Sequence, residues 1–259
     1  MIIGADHRYE RRNCEDAVHL IRWRDIVIGV VADGCGSGKH TEVGAKLGVI
    51  ITANQIIEEL LHAAPADLSQ LDWTNVTIRV EKLLRAIAEG MTDENTYSAF
   101  VFDYLLYTTV GFIMTPALTS FFGIGDGTLF VNGVGGVMEA GEGNRPDYIG
   151  YRILESQSRP VFTVYRTLAT ADVDHFMVAT DGMRYLIGAE EKPMPNGTQP
   201  IGPVSQFWTE HRYFVNSDNI RRRFVGLNGG IHGAVDVGIL RDDTAMIVGR
   251  RIPKKEIAP

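Results

Sequence analysis

The chain has 259 residues, of which 45% are hydrophobic, so it is long enough to bury a sizeable core. Its formal net charge of -7 argues against nucleic acid or an anionic membrane as the main partner. Two cysteines, Cys14 and Cys35, are too few for a disulfide framework and favour a reducing, cytoplasmic setting. The charged N-terminus is unlike a signal peptide, and no Pro/Gly/Ser-rich linker divides the sequence. A single domain over 1–259 is therefore predicted.

The first predicted elements are a strand and two helices. The apolar run at 26–32 is typical of a strand buried on both faces. Apolar residues then recur at helical spacing over 41–61 and again over 75–90, which predicts two amphipathic helices. The residues expected to form the buried face of the first helix are Val43, Leu47, Ile50, Ile57 and Leu61.

The segment 100–125 is apolar enough to resemble a membrane span. It contains Asp103 and a Thr-Pro-Ala turn, and it is rich in β-branched and aromatic residues. Two buried strands explain it better than a helix in lipid. Strands are predicted at 107–114, 118–124 and 128–134, the last two joined by Gly-Asp-Gly.

The C-terminal half predicts strands at 175–180 and 244–249, with helices near 205–214 and 218–227 between them. A loop-rich stretch at 188–203 precedes these helices. Strands, paired helices and strands again predict an α+β layered sandwich, in which helices cover the sheets.

The stretch VVADGCGSGKHTEVGAKLG, residues 30–48, superficially resembles a phosphate-binding loop. That loop needs a glycine, four residues, then Gly-Lys and a hydroxyl residue. Here Asp33 stands where the first glycine is required, and His40 follows Lys39. We reject this interpretation and read the stretch as a strand that ends in a carboxylate.

Acidic residues recur at the ends of predicted strands. They are Glu15, Asp16, Asp33, Asp126, Asp181, Asp242 and Asp243. One Asp-Gly at a strand end is usually only a turn. Several in one chain favour a site for Mg²⁺ or Mn²⁺, since these hard cations take oxygen ligands and keep several waters.

Five motifs, taken together and in this order, resemble the metal-dependent serine/threonine phosphatases of the PPM, or type 2C, family. The motifs are Arg11 to Asp16 (RRNCED), Ala32 to Gly36 (ADGCG), Gly125 to Gly127 (GDG), Ala179 to Gly182 (ATDG) and Asp242 to Thr244 (DDT). The resemblance implies a four-layer sandwich of two antiparallel β-sheets flanked by α-helices. It also implies a flap segment at about 183–235.

The resemblance further implies a site with two metal ions, Mg²⁺ or Mn²⁺. The residues implied as direct ligands are Asp33, Gly34 through its carbonyl, Asp181 and Asp242. Glu15 and Asp16 would hold metal-bound waters, and Arg11 would bind the phosphate through its guanidinium. Because adjacent residues of a strand point to opposite faces, only one of Asp242 and Asp243 is expected to face the metals. Aligning the apolar run that follows them with the family's pattern implies that this residue is Asp242.

The chain departs from the family in ways that affect the site. Cys35 stands where eukaryotic members carry a histidine thought to protonate the leaving group. Tyr185 replaces an aspartate that serves a third metal in relatives, which leaves Asp126 as a third-metal candidate or a plain turn residue.

The function expected from this resemblance is hydrolysis of phosphoserine and phosphothreonine in proteins, by attack of a metal-bridging hydroxide. The alternative is a signalling or binding module of the same fold with little or no turnover. The expected partners are phosphorylated proteins, without nucleic acid or membrane, and the chain is expected to be a cytoplasmic monomer.

Overall fold

The computed structural model describes residues 1–62, 68–141, 145–154, 159–195, 197–216, 218–229 and 238–252. Its helices are α1 (Ala5–Glu10), α2 (Thr41–His62), α3 (Trp73–Met91), α4 (Tyr97–Tyr104), α5 (Arg184–Ile187), α6 (Gln206–Thr209), α7 (Arg212–Val215) and α8 (Asp218–Leu227). Its strands are β1 (Ala17–Trp23), β2 (Ile26–Gly34), β3 (Tyr107–Met114), β4 (Leu118–Ile124), β5 (Gly127–Val131), β6 (Val134–Met138), β7 (Thr163–Ala169), β8 (His175–Ala179) and β9 (Met246–Arg250).

The strands form two antiparallel sheets, in the orders β1-β2-β3-β4-β7 and β6-β5-β8-β9. Aromatic side chains such as Phe112, Phe121 and Phe176 fill the space between them. Helices α2 and α3 cover the first sheet, and α5 to α8 cover the second. The predicted α+β sandwich of four layers is confirmed.

Strand β2 shows how the apolar run at 26–32 is used. Ile28 and Val30 are fully buried under the helical layer, whereas Val31 is fully buried between the two sheets. Because successive side chains of a strand point to opposite faces, only a continuous apolar run can fill both cores. The prediction of a strand buried on both faces is confirmed.

The buried face of α2 differs from the predicted one. Its core residues are Ala45, Val49, Ala53, Ile56 and Leu60. Val43, Ile50 and Leu61 are exposed instead. A Cβ atom at Gly48 would lie 2.2 Å from the Tyr107 ring, so this face approaches the sheet closely. Small residues therefore decide which face is buried, and a count of large apolar side chains could not reveal this.

Several elements differ from the sequence-based expectation. The predicted strand 128–134 is two strands, β5 and β6, joined by a turn at Asn132 and Gly133, both with positive φ. Strands β4 and β5 belong to different sheets, so the Gly-Asp-Gly between them is a crossover. Helices α1, α4 and α5 and strands β1 and β7 were not predicted, and β9 begins at Met246 rather than 244.

The segment expected to be a flap, about 183–235, provides the helical layer over the second sheet. Its buried residues include Leu186, Phe207, Phe224 and Leu227, which pack in one cluster with Met177 of β8. Positions 196, 217 and 230–237 lie outside the described residues. The single-domain assignment stays a prediction. Among the described helices, none is long and apolar enough to cross a membrane.

Candidate functional site

An acidic cavity of about 190 Å³ lies at one end of the sandwich. The carboxylate residues that line it are Glu15, Asp33, Asp126, Asp181 and Asp242. Asp16 is fully buried and is not among the lining residues. The structure thus brings together five of the acids that the sequence singles out.

Each acid of the cavity lies near the end of a strand. Asp33 and Gly34 are the last residues of β2. Asp126 occupies the crossover from β4 in the first sheet to β5 in the second. Asp181 follows β8 and Asp242 precedes β9. Because β8 and β9 are antiparallel neighbours, the end of one and the start of the other meet at the same edge.

Two glycines let these segments approach closely. A Cβ atom at Gly34 would lie 2.8 Å from the hydroxyl of Thr41, and one at Gly182 would lie 2.0 Å from the backbone oxygen of Asp243. A side chain at Gly182 would therefore separate the turn after β8 from the segment before β9. Glycine at this position keeps the Asp181 loop against the Asp242–Asp243 loop.

Asp33 and Asp16 are both carboxyls, and their negative charges repel each other. Burial raises the pKa of the Asp33 carboxyl well above its ordinary value, and the negative charges of Asp16 and Asp181 raise it further. Burial also raises the pKa of Asp16, against the effect of a hydrogen bond that the Thr180 hydroxyl donates at 2.6 Å. A nearby cation would stabilise the ionised form of this pair.

Glu15 and Asp126 are perturbed in the same direction. Burial raises the pKa of Glu15 to about 7, although the Arg12 guanidinium acts in the opposite direction. Burial raises the pKa of Asp126 to about 6, and the charge of Asp181 adds to this, while Arg184 opposes it. Loss of water and mutual repulsion are the common causes.

The adjacent acids Asp242 and Asp243 have different surroundings. Asp242 lines the cavity, and its pKa is raised by burial and then by the charge of Asp181. Asp243 is 2% exposed and accepts hydrogen bonds from the backbone N–H groups of Gly4 at 2.6 Å and Glu15 at 2.5 Å. Asp242 thus faces the cavity and Asp243 lies behind it. Metal ligation by Asp242 stays a prediction.

The donor set of the cavity suits a hard divalent cation. One carboxylate oxygen of Glu15 and one of Asp126 are buried without a hydrogen-bond partner among the described residues. Carboxylate oxygens are the ligands that Mg²⁺ and Mn²⁺ prefer. A cation would satisfy these oxygens and offset the repulsion that raises the pKa values of the neighbouring acids.

Two of the cavity carboxylates, those of Asp181 and Asp242, already have protein partners. Across the described ranges, no three His, Cys, Asp or Glu residues form a group that could hold a metal ion as they stand. Asp181 pairs with the guanidinium of Arg184 at 2.5 Å, and Asp242 accepts a hydrogen bond from the backbone of Asp243 at 2.9 Å. An ion that binds Asp181 would therefore compete with Arg184.

The arginine expected to bind phosphate does not line the cavity. Arg11 ends α1 with a φ of 59° and is exposed. Its neighbour Arg12 donates hydrogen bonds to the Glu15 carboxylate and, at 3.1 Å, to the carbonyl of Gly36. Both of these hydrogen-bond acceptors are cavity residues. Phosphate binding by Arg11 stays a prediction, and its neighbour Arg12 is held beside the cavity by these two contacts.

His7 is a cavity residue that the sequence did not reveal. Its Nδ1 lies 2.9 Å from a carboxylate oxygen of Asp243, and its Nε2 lies 3.9 Å from Glu15. The hydrogen bond with Asp243 raises the pKa of His7. No local pattern marks this histidine, because its partner is 236 positions away.

Arg184 and Tyr148 were also missed. Arg184 contacts two cavity acids, and its position three residues after Asp181 is a signal that could have identified it. Tyr148 lines the cavity beside Cys35, and its pKa is raised by burial and then by its hydrogen bond with Cys35. The segment that carries Tyr148 lacks any motif.

Two other features singled out in the sequence, Lys39 and the described part of the stretch 188–203, do not line the cavity. The ammonium group of Lys39 pairs with Asp103 at 2.6 Å rather than facing the acids, in keeping with the rejection of a phosphate-binding loop. None of the described residues of the 188–203 stretch lines the cavity. That stretch instead packs with the helices over the second sheet, where Ile201 is buried.

The structure is similar to several solved structures, among them two bacterial serine/threonine phosphatases. Serine/threonine phosphatase Stp1 from Staphylococcus aureus superposes with a TM-score of 0.50 and 12% identity, over 93% of this chain and 91% of that one. The S. agalactiae serine/threonine phosphatase gives 0.54 and 12%, over 91% and 92%. A C. elegans sex determining protein gives 0.52 and 10%, over 98% and 64%. At these identities the likeness establishes the fold.

No curated protein sequence matches the chain. The family model of protein phosphatase 2C, however, matches residues 3–219, which is most of its length. This match includes Arg11, Asp33, Asp126 and Asp181, and the structure agrees with it in having two antiparallel sheets between helical layers. The chain therefore belongs to the protein phosphatase 2C family.

Proposed function

We propose that the chain is a divalent-metal-dependent phosphatase that hydrolyses phosphoserine and phosphothreonine in proteins. The observation that carries this proposal is the gathering of five carboxylates at one end of a protein phosphatase 2C fold. Burying carboxyls next to each other raises their pKa values and opposes folding, so the stability of the fold does not explain the cluster. Such clusters are typical of functional sites.

The residues proposed to hold two Mg²⁺ or Mn²⁺ ions directly are Asp33, Gly34 through its carbonyl, Asp181 and Asp242. Glu15 and Asp16 would contact the ions through water, and Asp126 is a candidate for a third. When bound, such ions would supply a nucleophilic water near neutral pH and offset negative charge at phosphorus. The mutual repulsion of these carboxylates supports the assignment, because dications would relieve it.

The protein's own cations are proposed to hold the phosphate at the rim of the cavity. An acidic cavity repels a phosphate dianion, so binding requires positive charge nearby. Arg12 reaches the rim through Glu15 and Gly36, and a guanidinium donates two parallel hydrogen bonds to phosphoryl oxygens. Arg11, exposed and adjacent, is the second member of this proposed arginine pair.

His7 is proposed to hold a proton close to the reacting phosphate. Asp243 fixes one ring nitrogen at 2.9 Å, which leaves Nε2 directed toward Glu15 at the cavity. A histidine fixed in this way can give up a proton from Nε2 to a leaving alcohol. His7 would thereby offset the absence of a histidine at Cys35.

The proposed substrates are phosphorylated proteins, and the proposed setting is a cytoplasmic monomer. An overall charge of -7 disfavours nucleic acid and anionic lipid as partners. Recognition would then depend mainly on the phosphorylated side chain in a cavity of about 190 Å³.

A second candidate function is a binding or signalling module of the same fold with little turnover. The pairing of Asp181 with Arg184 favours it, since a metal ligand already engaged by a cation is less available to an ion. The two functions differ in one measurable property, which is metal-dependent turnover.

The test measures hydrolysis of a chromogenic aryl phosphate, a phosphothreonine peptide and the matching phosphotyrosine peptide. Each assay is run with Mn²⁺, with Mg²⁺ and with a chelator, and Asp33→Asn is the matched control. We expect metal-stimulated, chelator-sensitive turnover that favours phosphothreonine and is lost in the control. Absence of such turnover across about pH 7 to 9 would favour the binding module.

A further inference from the structure

Arg184 is a cation built into the acidic cluster. Its guanidinium lies 2.5 Å from a carboxylate oxygen of Asp181 and 3.7 Å from one of Asp126. These two acids come from different segments, the loop after β8 and the crossover between β4 and β5. One positive charge therefore connects two acids of the cavity.

The backbone explains why Arg184 takes this position. Residues 181–183 form a single 3-10 turn that leads directly into α5, whose first residue is Arg184. A residue three positions after Asp181 in such a turn lies on the same face, and helical side chains point back toward the N-terminus. The side chain of Arg184 is therefore directed over Asp181 by local geometry alone.

The other cations of the cavity are engaged elsewhere. Arg12 contacts Glu15 and the carbonyl of Gly36, and His7 is held by Asp243. Among the ion pairs of the described residues, Arg184 is thus the cation that pairs with Asp126 and Asp181. The Nε of Arg184 is buried without a hydrogen-bond partner in that part of the chain, so the side chain is not locked by a full set of bonds.

We propose that Arg184 is a tethered cation that competes with divalent metal ions for Asp126 and Asp181. Binding of an ion at this pair then requires the guanidinium to leave. The side chain of Arg184 is 37% exposed, which gives it a path to solvent. This inference rests on the proposed function, because it presumes that the cavity binds divalent metal ions.

The competition follows from charge and geometry. A guanidinium and a dication are both attracted to the same carboxylate oxygens, and they repel each other when both are close. Removing the guanidinium leaves the two acids without a counter-ion and vacates the space beside them. Metal binding should therefore tighten when Arg184 loses its charge.

The experiment is a calorimetric titration with Mn²⁺ of the wild type and of Arg184→Met. We expect Mn²⁺ to bind the variant about tenfold more tightly at its weakest site, since a partly exposed ion pair no longer competes. Arg184→Lys, which keeps the charge, should stay close to the wild type. Arg222→Met is the matched control, because it removes an arginine that pairs with Asp218 on α8.

Further variants keep the proposal open to refutation. Arg184→Gln replaces Arg184→Met if circular dichroism shows that the latter is unfolded. Adding Asp126→Asn to Arg184→Met should cancel part of the gain in Mn²⁺ affinity. If the wild type binds Mn²⁺ clearly and Arg184→Met binds it equally or more weakly, the competing role of Arg184 is overturned. The proposed metal-dependent function would not be affected by that result. Absence of Mn²⁺ binding in every protein would instead overturn the proposed metal-dependent function.

Discussion

The two ends of the sandwich share the same strands but differ in chemistry. At the acid end, β2 finishes at Asp33 and the segments next to β8 and β9 carry Asp181 and Asp242. At the opposite end of these strands, a cavity of about 320 Å³ is lined mainly by apolar side chains, among them Phe112 and Phe176. The apolar end buries surface that favours folding, whereas the acid end gathers charges that oppose it.

The charged residues of the apolar end are paired in a conventional way. Asp174 lies 3.5 Å from the guanidinium of Arg251, which also donates a hydrogen bond to the carbonyl of Thr170 at 3.0 Å. At the acid end, by contrast, Asp33 faces other carboxylates that raise its pKa. The difference indicates that the acid end is shaped by a requirement other than stability, which we take to be metal binding.

The largest expected effect is on turnover at the acid end. Asp181→Asn keeps the shape of the side chain but removes the anionic ligand, so kcat/KM should fall by roughly a thousandfold or more. Circular dichroism should show an unchanged fold. The matched control is Asp174→Asn at the apolar end, where we expect activity equal to the wild type. Activity of the Asp181 variant within tenfold of wild type would remove this residue from the site.

The next effect is on stability at the apolar end. Phe176 is buried against Phe112 and Phe121, with ring centroids 4.5 and 5.4 Å away. Phe176→Ala should lower the free energy of unfolding by about 3 kcal/mol, because it leaves a cavity in the core. Urea unfolding measures this change. Leu20→Ala, at a residue that is 58% exposed on the same cavity, should cost less than about 1 kcal/mol.

A smaller pair of effects separates two adjacent acids. Asp242→Ala should lose one Mn²⁺ site in a calorimetric titration, since Asp242 faces the cavity. Asp243→Asn should instead lower the free energy of unfolding by about 2 kcal/mol, because its carboxylate accepts buried hydrogen bonds from Gly4 and Glu15. If the Asp243 variant lost the Mn²⁺ site and the Asp242 variant kept it, the assignment would be off by one residue.

The smallest expected effect is on the pH dependence of stability. Glu15 and Asp126 have pKa values of about 7 and about 6 in the folded chain, above ordinary values of 4.5 and 3.8. An acid whose pKa is raised by folding stabilises the fold while protonated, and this contribution is lost as pH rises through the folded value. The raised pKa of His7 acts in the same direction.

The Tm of the metal-free protein should therefore fall by several degrees between about pH 5 and about pH 8. Added Mn²⁺ should raise the Tm more at the higher pH, where the carboxylates are ionised. Differential scanning calorimetry with and without chelator measures both changes. A metal-free Tm that rises with pH over this range would contradict the account of the acid end.

Local sequence patterns were sufficient for the buried strands and for the acids next to them. The apolar runs that predicted β3 and β4 match their observed bounds, because a strand buried on both faces leaves a continuous signal. The acids Asp33, Asp126 and Asp181 could be identified since each follows such a run. These features depend on neighbours in the chain.

Features that depend on distant contacts could not be predicted. The role of His7 comes from Asp243, and the buried face of α2 comes from the close approach of Gly48 to Tyr107. The backbone of Arg11 is left-handed and turns the chain after α1. This turn places Arg12, rather than Arg11, beside the cavity. None of these contacts has a signature in local sequence.

The most direct test of the account is anomalous X-ray diffraction from crystals grown with Mn²⁺. The account predicts anomalous peaks in the acidic cavity, within bonding distance of Asp33, Asp181 and Asp242. It also predicts that Asp181 has moved away from Arg184 in that structure. A structure at saturating Mn²⁺ with no anomalous peak among these carboxylates, and with the ion pair between Asp181 and Arg184 intact, would contradict the claim that the acid end binds metal.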